Sequence, residues 1–259
     1  MFEKSTWIRL PRHVAVGHGV LDDVVPAVAD LRLGSRALVV TSPTPRSVAG
    51  DRVVDSLEAA DYETRTVVIE RAAIDAVESV VEAARESDAD FLVGVGGGKA
   101  IDVAKMAGNE IGRGLVSVPT AASHDGIVSG RGSIPEEDVR HSVAAEPPVA
   151  VVADTEVLAE APWELTTAGC ADIISNYTAV KDWRLAQRLR GVDYSEYAAA
   201  LAEMTAEMLV EAAPSVKPGL EESAWLVVKA LVSSGVAMSI AGSSRPASGS
   251  EHLFSHRLD

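Results

Sequence analysis

The chain has 259 residues, 47% hydrophobic and 24% charged, the make-up of a soluble globular protein long enough for one large α/β unit or two ordinary domains. Its 38 acidic against 23 basic residues give a formal charge of -15, which makes nucleic acid and anionic membrane poor partners, and 4% aromatic content argues against base stacking. Lysine is scarce beside arginine, a pattern suited to concentrated salt, where screening within a few Å tolerates such self-repulsion; an ordinary acidic cytosolic protein is the competing reading.

The single cysteine, Cys170, rules out an intrachain disulfide and fits a reducing cytoplasm. The opening MFEKSTW lacks the charged-then-apolar order of a signal peptide. The longest apolar stretch, Leu226 to Ala241, is interrupted by Lys229, Ser233 and Ser234 and falls short of the roughly 20 residues of a bilayer span. It reads as a buried core helix, so a cytoplasmic chain without membrane insertion is expected.

In chain order, "ALVVT" (Ala37 to Thr41) and "FLVGV" (Phe91 to Val95) are apolar runs of strand length, as in a parallel sheet covered on both faces. Between them, "RVVDSLEAA" and "IDAVESVVEAARE" space apolar residues for helices, for example Ile74, Val77, Val80 and Val81. "LVSVPT" (Leu115 to Thr120) is a further strand, ended by Pro119. After about Thr155 the β-branched runs vanish: one long helix is expected from Pro162, then others over Tyr197 to Ala213 and Glu221 to Ile240. The expected architecture is an α/β domain over 1–158 followed by an all-helical domain over 159–259, with a ligand cleft at their junction.

"FLVGVGGGKAIDVAK" is a strand, three glycines and a helix. Gly96, Gly97 and Gly98 carry no Cβ, so backbone N–H groups can approach a phosphate, and the helix turns its positive end to the same place. The third glycine of the common dinucleotide fingerprint would fall at Lys99, and no Ser or Thr follows that lysine to hold magnesium as in a P-loop. A bare tight turn without ligand is the competing reading.

"GVGGGKAIDVAK" resembles the nucleotide turn of the superfamily that joins iron-containing alcohol dehydrogenases, glycerol dehydrogenases and 3-dehydroquinate synthases. "VSVPTAASHDGIVSG", "AGCADIISNYTAVKDW" and "RPASGSEHLFSH" are similar, more narrowly, to the archaeal sn-glycerol-1-phosphate dehydrogenases, and the resemblance runs through the whole chain in order. It implies a Rossmann-like dinucleotide domain followed by a helical metal and substrate domain of the dehydroquinate synthase type.

By that resemblance, Gly96, Gly97, Gly98, Lys99, Ala100, Ile101 and Asp102 would cradle the pyrophosphate of NAD(P)H, and Thr120, Ala121, Ala122, Ser123 and Ser129 would complete the cofactor site. Independently, Thr120 and Ser123 lie just past the carboxyl end of a strand, where open α/β sheets bind ligands. At the end of "ALVVT", Thr41 and Ser42 stand where an acidic residue would repel a 2′-phosphate, with Arg46 nearby, so NADP is expected to serve alongside NAD. The resemblance further implies Asp172 and His252 as zinc ligands, Asp172 and Asp125 as substrate contacts, and His256 close to substrate on the same helix face as His252. Cys170 is read as a small buried residue, and nothing in the sequence decides a role for His124.

The implied reaction is reduction of dihydroxyacetone phosphate to sn-glycerol 1-phosphate, the backbone of archaeal membrane lipids, with zinc polarising the ketone and a proton arriving from water or His256. In so acidic a chain the substrate phosphate needs local donors, with Lys181, Arg245 and helix N-termini as candidates. A glycerol or other alcohol dehydrogenase would share turn and metal. A 3-dehydroquinate synthase would carry glutamate at Asp172 and a "GHTFGHA"-like segment in place of "SEHLFSH". The family's third zinc ligand, a further histidine, would come after Asp259. The sequence as it stands therefore leads us to expect an incomplete metal domain, weakened zinc binding and exposed apolar helix faces that invite homo-oligomers, with a non-catalytic nucleotide-binding fragment as the reading from another class.

Overall fold

The computed structural model describes residues 7–136 and 139–258, and their side chains except at 135–142 and 256–258. Strands β2 (Arg36–Thr41), β4 (Phe91–Gly96) and β5 (Gly114–Pro119) occupy the three expected runs. Three more join them: β1 (His13–Gly17), β3 (Glu63–Val68) and β8 (Ala150–Asp154). All pair in parallel, in the order β1-β8-β5-β4-β2-β3. The sequence hid the edge strand β3 because one flank meets solvent and Glu63, Thr64, Arg65 and Thr66 displace an apolar run; β1 and β8, five residues each, were also not expected. A separate antiparallel pair, β6 (Arg131–Glu136) and β7 (Val139–Ala144), was also not foreseen.

Alternation along each strand divides the core. Ala37, Val39, Phe91, Val93, Val116 and Val152 face one side, packing on α1 (Val24–Leu31) and, beyond the short turn α2 (Pro43–Pro45), on α3 (Asp51–Ala59). Leu38, Val40, Leu92 and Val151 face the other, against α4 (Ile74–Glu86) and α5 (Gly98–Ile111). Each of these Val, Leu and Phe side chains, fully buried, contributes about 1.5–3 kcal/mol of transfer free energy.

Beyond β8 a short helix α6 (Thr155–Ala159) leads to α7 (Trp163–Arg190), α8 (Glu196–Ala212), α9 (Glu221–Ala241) and α10 (Ser250–Leu258). The change from sheet to helices thus falls between Asp154 and Trp163. The second core face does not stop there: it continues through Ile173 of α7, Leu209 of α8 and Val227 and Leu231 of α9. By length and composition α9 would pass as a membrane span, yet half of its most apolar window is buried inside the protein, so it serves as the core helix its sequence suggested. A third cluster, with Val180, Trp183, Ala199 and Ala237, holds the far ends of the helices together, and the Trp183 indole donates to the Asp193 carbonyl at 2.7 Å.

The helices seat on the loop after β5 by backbone contact. A Cβ on Gly169 of α7 would lie 2.1 Å from the Ala122 carbonyl oxygen, so only glycine lets the long helix come that close. Ile174, Leu185, Leu189, Tyr197, Met204, Met208 and Trp225 remain exposed on α7, α8 and α9, in line with the apolar faces expected there.

Candidate active site

β2 continues to β3 on one side and the chain returns to β4 on the other, so the strand order reverses between β2 and β4. The crevice at their carboxyl ends is where doubly wound sheets bind nucleotides. The glycine turn closes that crevice. Gly96 has φ 152°, a backbone setting that side chains resist, and a Cβ there would meet Ala100 at 3.0 Å and Pro45 at 3.4 Å. Around Gly97 a Cβ would meet nothing, leaving open room at the helix start. The first backbone bond of α5 runs from the Ile101 N–H to the Gly97 carbonyl at 3.3 Å, so the amides of Gly98, Lys99 and Ala100 point out of the helix toward that room. Thr120 is tied to the turn, its N–H bonded to the Gly96 carbonyl at 3.0 Å.

Side chains further along α5 turn away. Ala100 and Ile101 are buried in the core, and Asp102 faces inward, accepting from the Ser133 N–H at 3.1 Å and lying 3.4 Å from the Lys105 ammonium. The cradle is thus limited to backbone from Gly96 to Ala100, and the Asp102 carboxylate is turned away from it. Lys99 is exposed, Ala121 and Ala122 are buried, and Ser123 is half-buried. Thr41 is buried at the end of β2, its hydroxyl directed to the Ser42 carbonyl at 3.4 Å; Arg46 is paired with Asp51 at 2.9 Å.

A second set of expected residues converges. Asp125, Asp172 and His252 line one cavity of about 280 Å³, together with Ser129, which the resemblance assigned to the cofactor, and with His124, Arg131, Ser133, Ser244 and Ser248. Asp125 opens a single helical turn (Asp125–Ile127) after the Thr120 loop, and its N–H donates to Asp172 Oδ2 at 2.9 Å. The other oxygen of Asp172 stands 3.7 Å from His252 Nε2. The hydroxyl of Ser234, from α9, donates to Asp125 Oδ2 at 2.8 Å. Burial pushes both carboxyls up, Asp172 well above the ordinary range, where the neighbouring Asp125 and Glu251 charges raise it further.

Glu251 and His124 were overlooked or left undecided in the sequence. Glu251 lies 2.9 Å from His252 Nδ1, holding the ring so that Nε2 faces Asp172. His124 Nδ1 accepts from the Gly126 N–H at 3.0 Å, which leaves the proton of a neutral ring on Nε2. That nitrogen lies against Gly98, where a Cβ would approach it to 2.2 Å, so His124 bridges the glycine turn and the carboxylates. Its place beside Asp125 in "SHDG" was the only hint. Cys170 is half-buried rather than buried, and burial raises its thiol.

Two candidate phosphate donors lie elsewhere. Lys181 and Arg245 are exposed and line no part of the cavity; among the described residues Arg131 is the lysine or arginine that does. The side chain of His256 lies outside the described residues, although its backbone sits in α10.

The donor set suits a metal such as zinc. Two ligands about 2.0–2.2 Å from a tetrahedral zinc stand roughly 3.3–3.6 Å apart, close to the Asp172–His252 separation, and an imidazole braced by a carboxylate is the usual support of such a ligand. Among the described residues no three His, Cys, Asp or Glu side chains converge at ligand distance.

A parallel sheet with a glycine turn at its switch point, beside a cavity that pairs Asp125 of the loop with Asp172 and a braced His252 of the helices, suits the class of nucleotide-dependent dehydrogenases. Residues 14–162 match the family model for iron-containing alcohol dehydrogenases. A probable glycerol dehydrogenase from Sinorhizobium meliloti superposes with a TM-score of 0.76 at 25% identity, over 92% of this chain and 68% of that one. Glycerol dehydrogenase from Schizosaccharomyces pombe gives 0.77 at 21% identity, over 92% and 63%. The glycerol-1-phosphate dehydrogenase [NAD(P)+] of Haloarcula marismortui is 71% identical over all 259 residues, which span 74% of its length; that of Natronomonas pharaonis is 68% identical over the same extent. The chain belongs to the glycerol-1-phosphate dehydrogenase family.

Proposed function

We propose that this protein is an NAD(P)-dependent, zinc-assisted dehydrogenase that interconverts dihydroxyacetone phosphate and sn-glycerol 1-phosphate in the cytoplasm of a salt-adapted cell, with a nucleotide domain over 1–158 and a metal and substrate domain over 159–259. The observation that carries the reading is the meeting of Asp125, Asp172 and His252 in one cavity whose wall, His124, also touches the glycine turn. The halophile relatives support the salt-adapted reading, and their names support the substrate and both nicotinamide cofactors.

Asp172 and His252 would hold the metal, with Glu251 orienting His252. Bound there, zinc supplies Lewis-acid polarisation of the ketone oxygen and NAD(P)H supplies the hydride. The amides of Gly98, Lys99 and Ala100 would take the pyrophosphate, and His124, against Gly98, stands between that turn and the carboxylates. Asp125, held by Ser234, is the substrate contact nearest the metal ligands. The phosphate end of the substrate would lie toward Arg131, Ser133, Ser244 and Ser248, the donors of the cavity wall, and away from the two carboxyls. Ketone, hydride and one proton yield the secondary alcohol and NAD(P)+; the cavity admits water as the proton source, beside the His256 route the resemblance implied. Exposed Leu185, Leu189, Tyr197 and Met208 favour association of copies, measurable by light scattering.

The reading is tested by following NADH and NADPH oxidation with dihydroxyacetone phosphate in high salt, identifying the product enantiomer and measuring zinc content. Turnover with the phosphate and either nucleotide is expected. Turnover of glycerol but not the phosphate would favour a glycerol dehydrogenase, and strict use of NAD would overturn the dual-cofactor reading. Nucleotide binding without any turnover would favour a non-catalytic nucleotide binder.

A further inference from the structure

We propose that the buried pair Lys105 and Asp102 is a positioning device that sets the distance between the nucleotide turn and the carboxylate site. Lys105 is 1% exposed, the burial of a core leucine, although it carries an ammonium. Its three donors have three acceptors: the Gly126 carbonyl, the Arg131 carbonyl at 2.6 Å, and Asp102 Oδ1 at 3.4 Å. The second oxygen of Asp102 accepts from the Ser133 N–H at 3.1 Å. Every backbone partner therefore belongs to one stretch, Gly126 to Ser133, which follows Asp125 directly and lines the cavity.

Stability alone does not account for such a pair. Desolvating an ammonium costs several kcal/mol, burial lowers its proton affinity here, and a methionine of similar volume would pack as well. What a methionine cannot do is hold two carbonyls five residues apart. Asp125 is fixed from one side by its N–H to Asp172 of α7, and the chain after it is fixed from the other side by Lys105 of α5. Lys105 lies two helical turns from Gly98, about 10 Å along the same rigid helix. The clamp thus registers the segment carrying Asp125 and Arg131 against the turn that takes the pyrophosphate, so hydride donor and acceptor meet at a fixed separation. Neither residue touches substrate or nucleotide, and the inference rests on the dehydrogenase reading above.

The test uses Lys105→Met and the double variant Asp102→Asn/Lys105→Met, which leaves neither charge buried alone. Three readouts are compared with the unsubstituted protein: kcat and KM for dihydroxyacetone phosphate, NADPH affinity by fluorescence, and amide hydrogen exchange. The expected result is a kcat lower by about tenfold to a hundredfold with NADPH affinity within about threefold, as for misplacement by about 1 Å. Amides of Gly126 to Ser133 should exchange faster while those of β4 do not. Unchanged kcat and exchange would overturn the proposal, as would a parallel loss of NADPH affinity, which would assign the pair to the turn alone. Failure of both variants to fold would also overturn it, marking the pair as structural. An unsubstituted protein that binds NADPH but does not turn over would count against the dehydrogenase reading instead, and the exchange data would then judge the clamp by themselves.

Discussion

The glycine turn and the carboxylate cavity lie side by side, yet they are built differently. The turn is one contiguous stretch, and its chemistry is backbone: a strand end, absent Cβ atoms and a helix start do all that phosphate binding asks. The cavity draws on four separated places, Asp125 after β5, Asp172 on α7, Ser234 on α9, and Glu251 with His252 on α10. It works through side chains whose charges repel. A contiguous site fails only if its own backbone is disturbed, whereas an assembled one fails whenever any of its carriers shifts.

The sharpest break in that comparison is Asp172→Asn, which removes the proposed metal ligand and alters a partner of Asp125 while leaving the turn intact. The activity kcat/KM should fall by about a thousandfold or more, the scale of losing a metal's several kcal/mol of stabilisation, with NADPH affinity unchanged. The same variant should reveal strain in the metal-free protein. The Asp172 carboxyl titrates above its unfolded value, so the folded state holds the proton longer, and stability from this group falls as pH rises from about 4 through the raised value. Melting in chelator should therefore show the variant gaining on the parent as pH increases over that window; a pH-independent difference would contradict the buried-charge account.

Gly169→Ala probes whether the assembled site depends on its carriers. The new Cβ, 2.1 Å from the Ala122 carbonyl, forces α7 away from the loop, and activity should drop about tenfold to a hundredfold with a stability loss of about 1–3 kcal/mol, read by steady-state kinetics and denaturant melts. Gly98→Ala tests the turn in turn: its Cβ drives into His124, so NADPH affinity should weaken by about tenfold while zinc content holds. The smallest effect is expected from Ser234→Ala. Losing a bond to the Asp125 carboxyl costs about 0.5–3 kcal/mol and lets that carboxyl rise further, so the acidic limb of the pH–rate profile should move upward.

Much of this was legible in one dimension. Strands β2, β4 and β5, the glycine turn and the helices from Trp163 onward each carry their signal within a short window, because hydrophobic period and glycine placement are local properties. The edge strand β3 was not legible, since solvent on one side lets polar residues into it, and neither were the five-residue strands β1 and β8 or the β6–β7 pair. Of the cavity, resemblance supplied Asp125, Asp172, Ser129 and His252. Glu251, Ser234 and Arg131 carry no local sign of their roles: Ser234 reads as a mere interruption of an apolar helix.

By itself the sequence determined the class of fold, the acidic composition and the glycine turn between strand and helix, because each depends on residues close along the chain or on composition. Tertiary structure alone decided which polar groups share the cavity, that Asp102 faces Lys105 and not the open turn, and that His124 stands between turn and carboxylates. The physical reason is the same in each case. A side chain's partner is chosen by how helices pack on the sheet, and that packing is settled by the whole core at once.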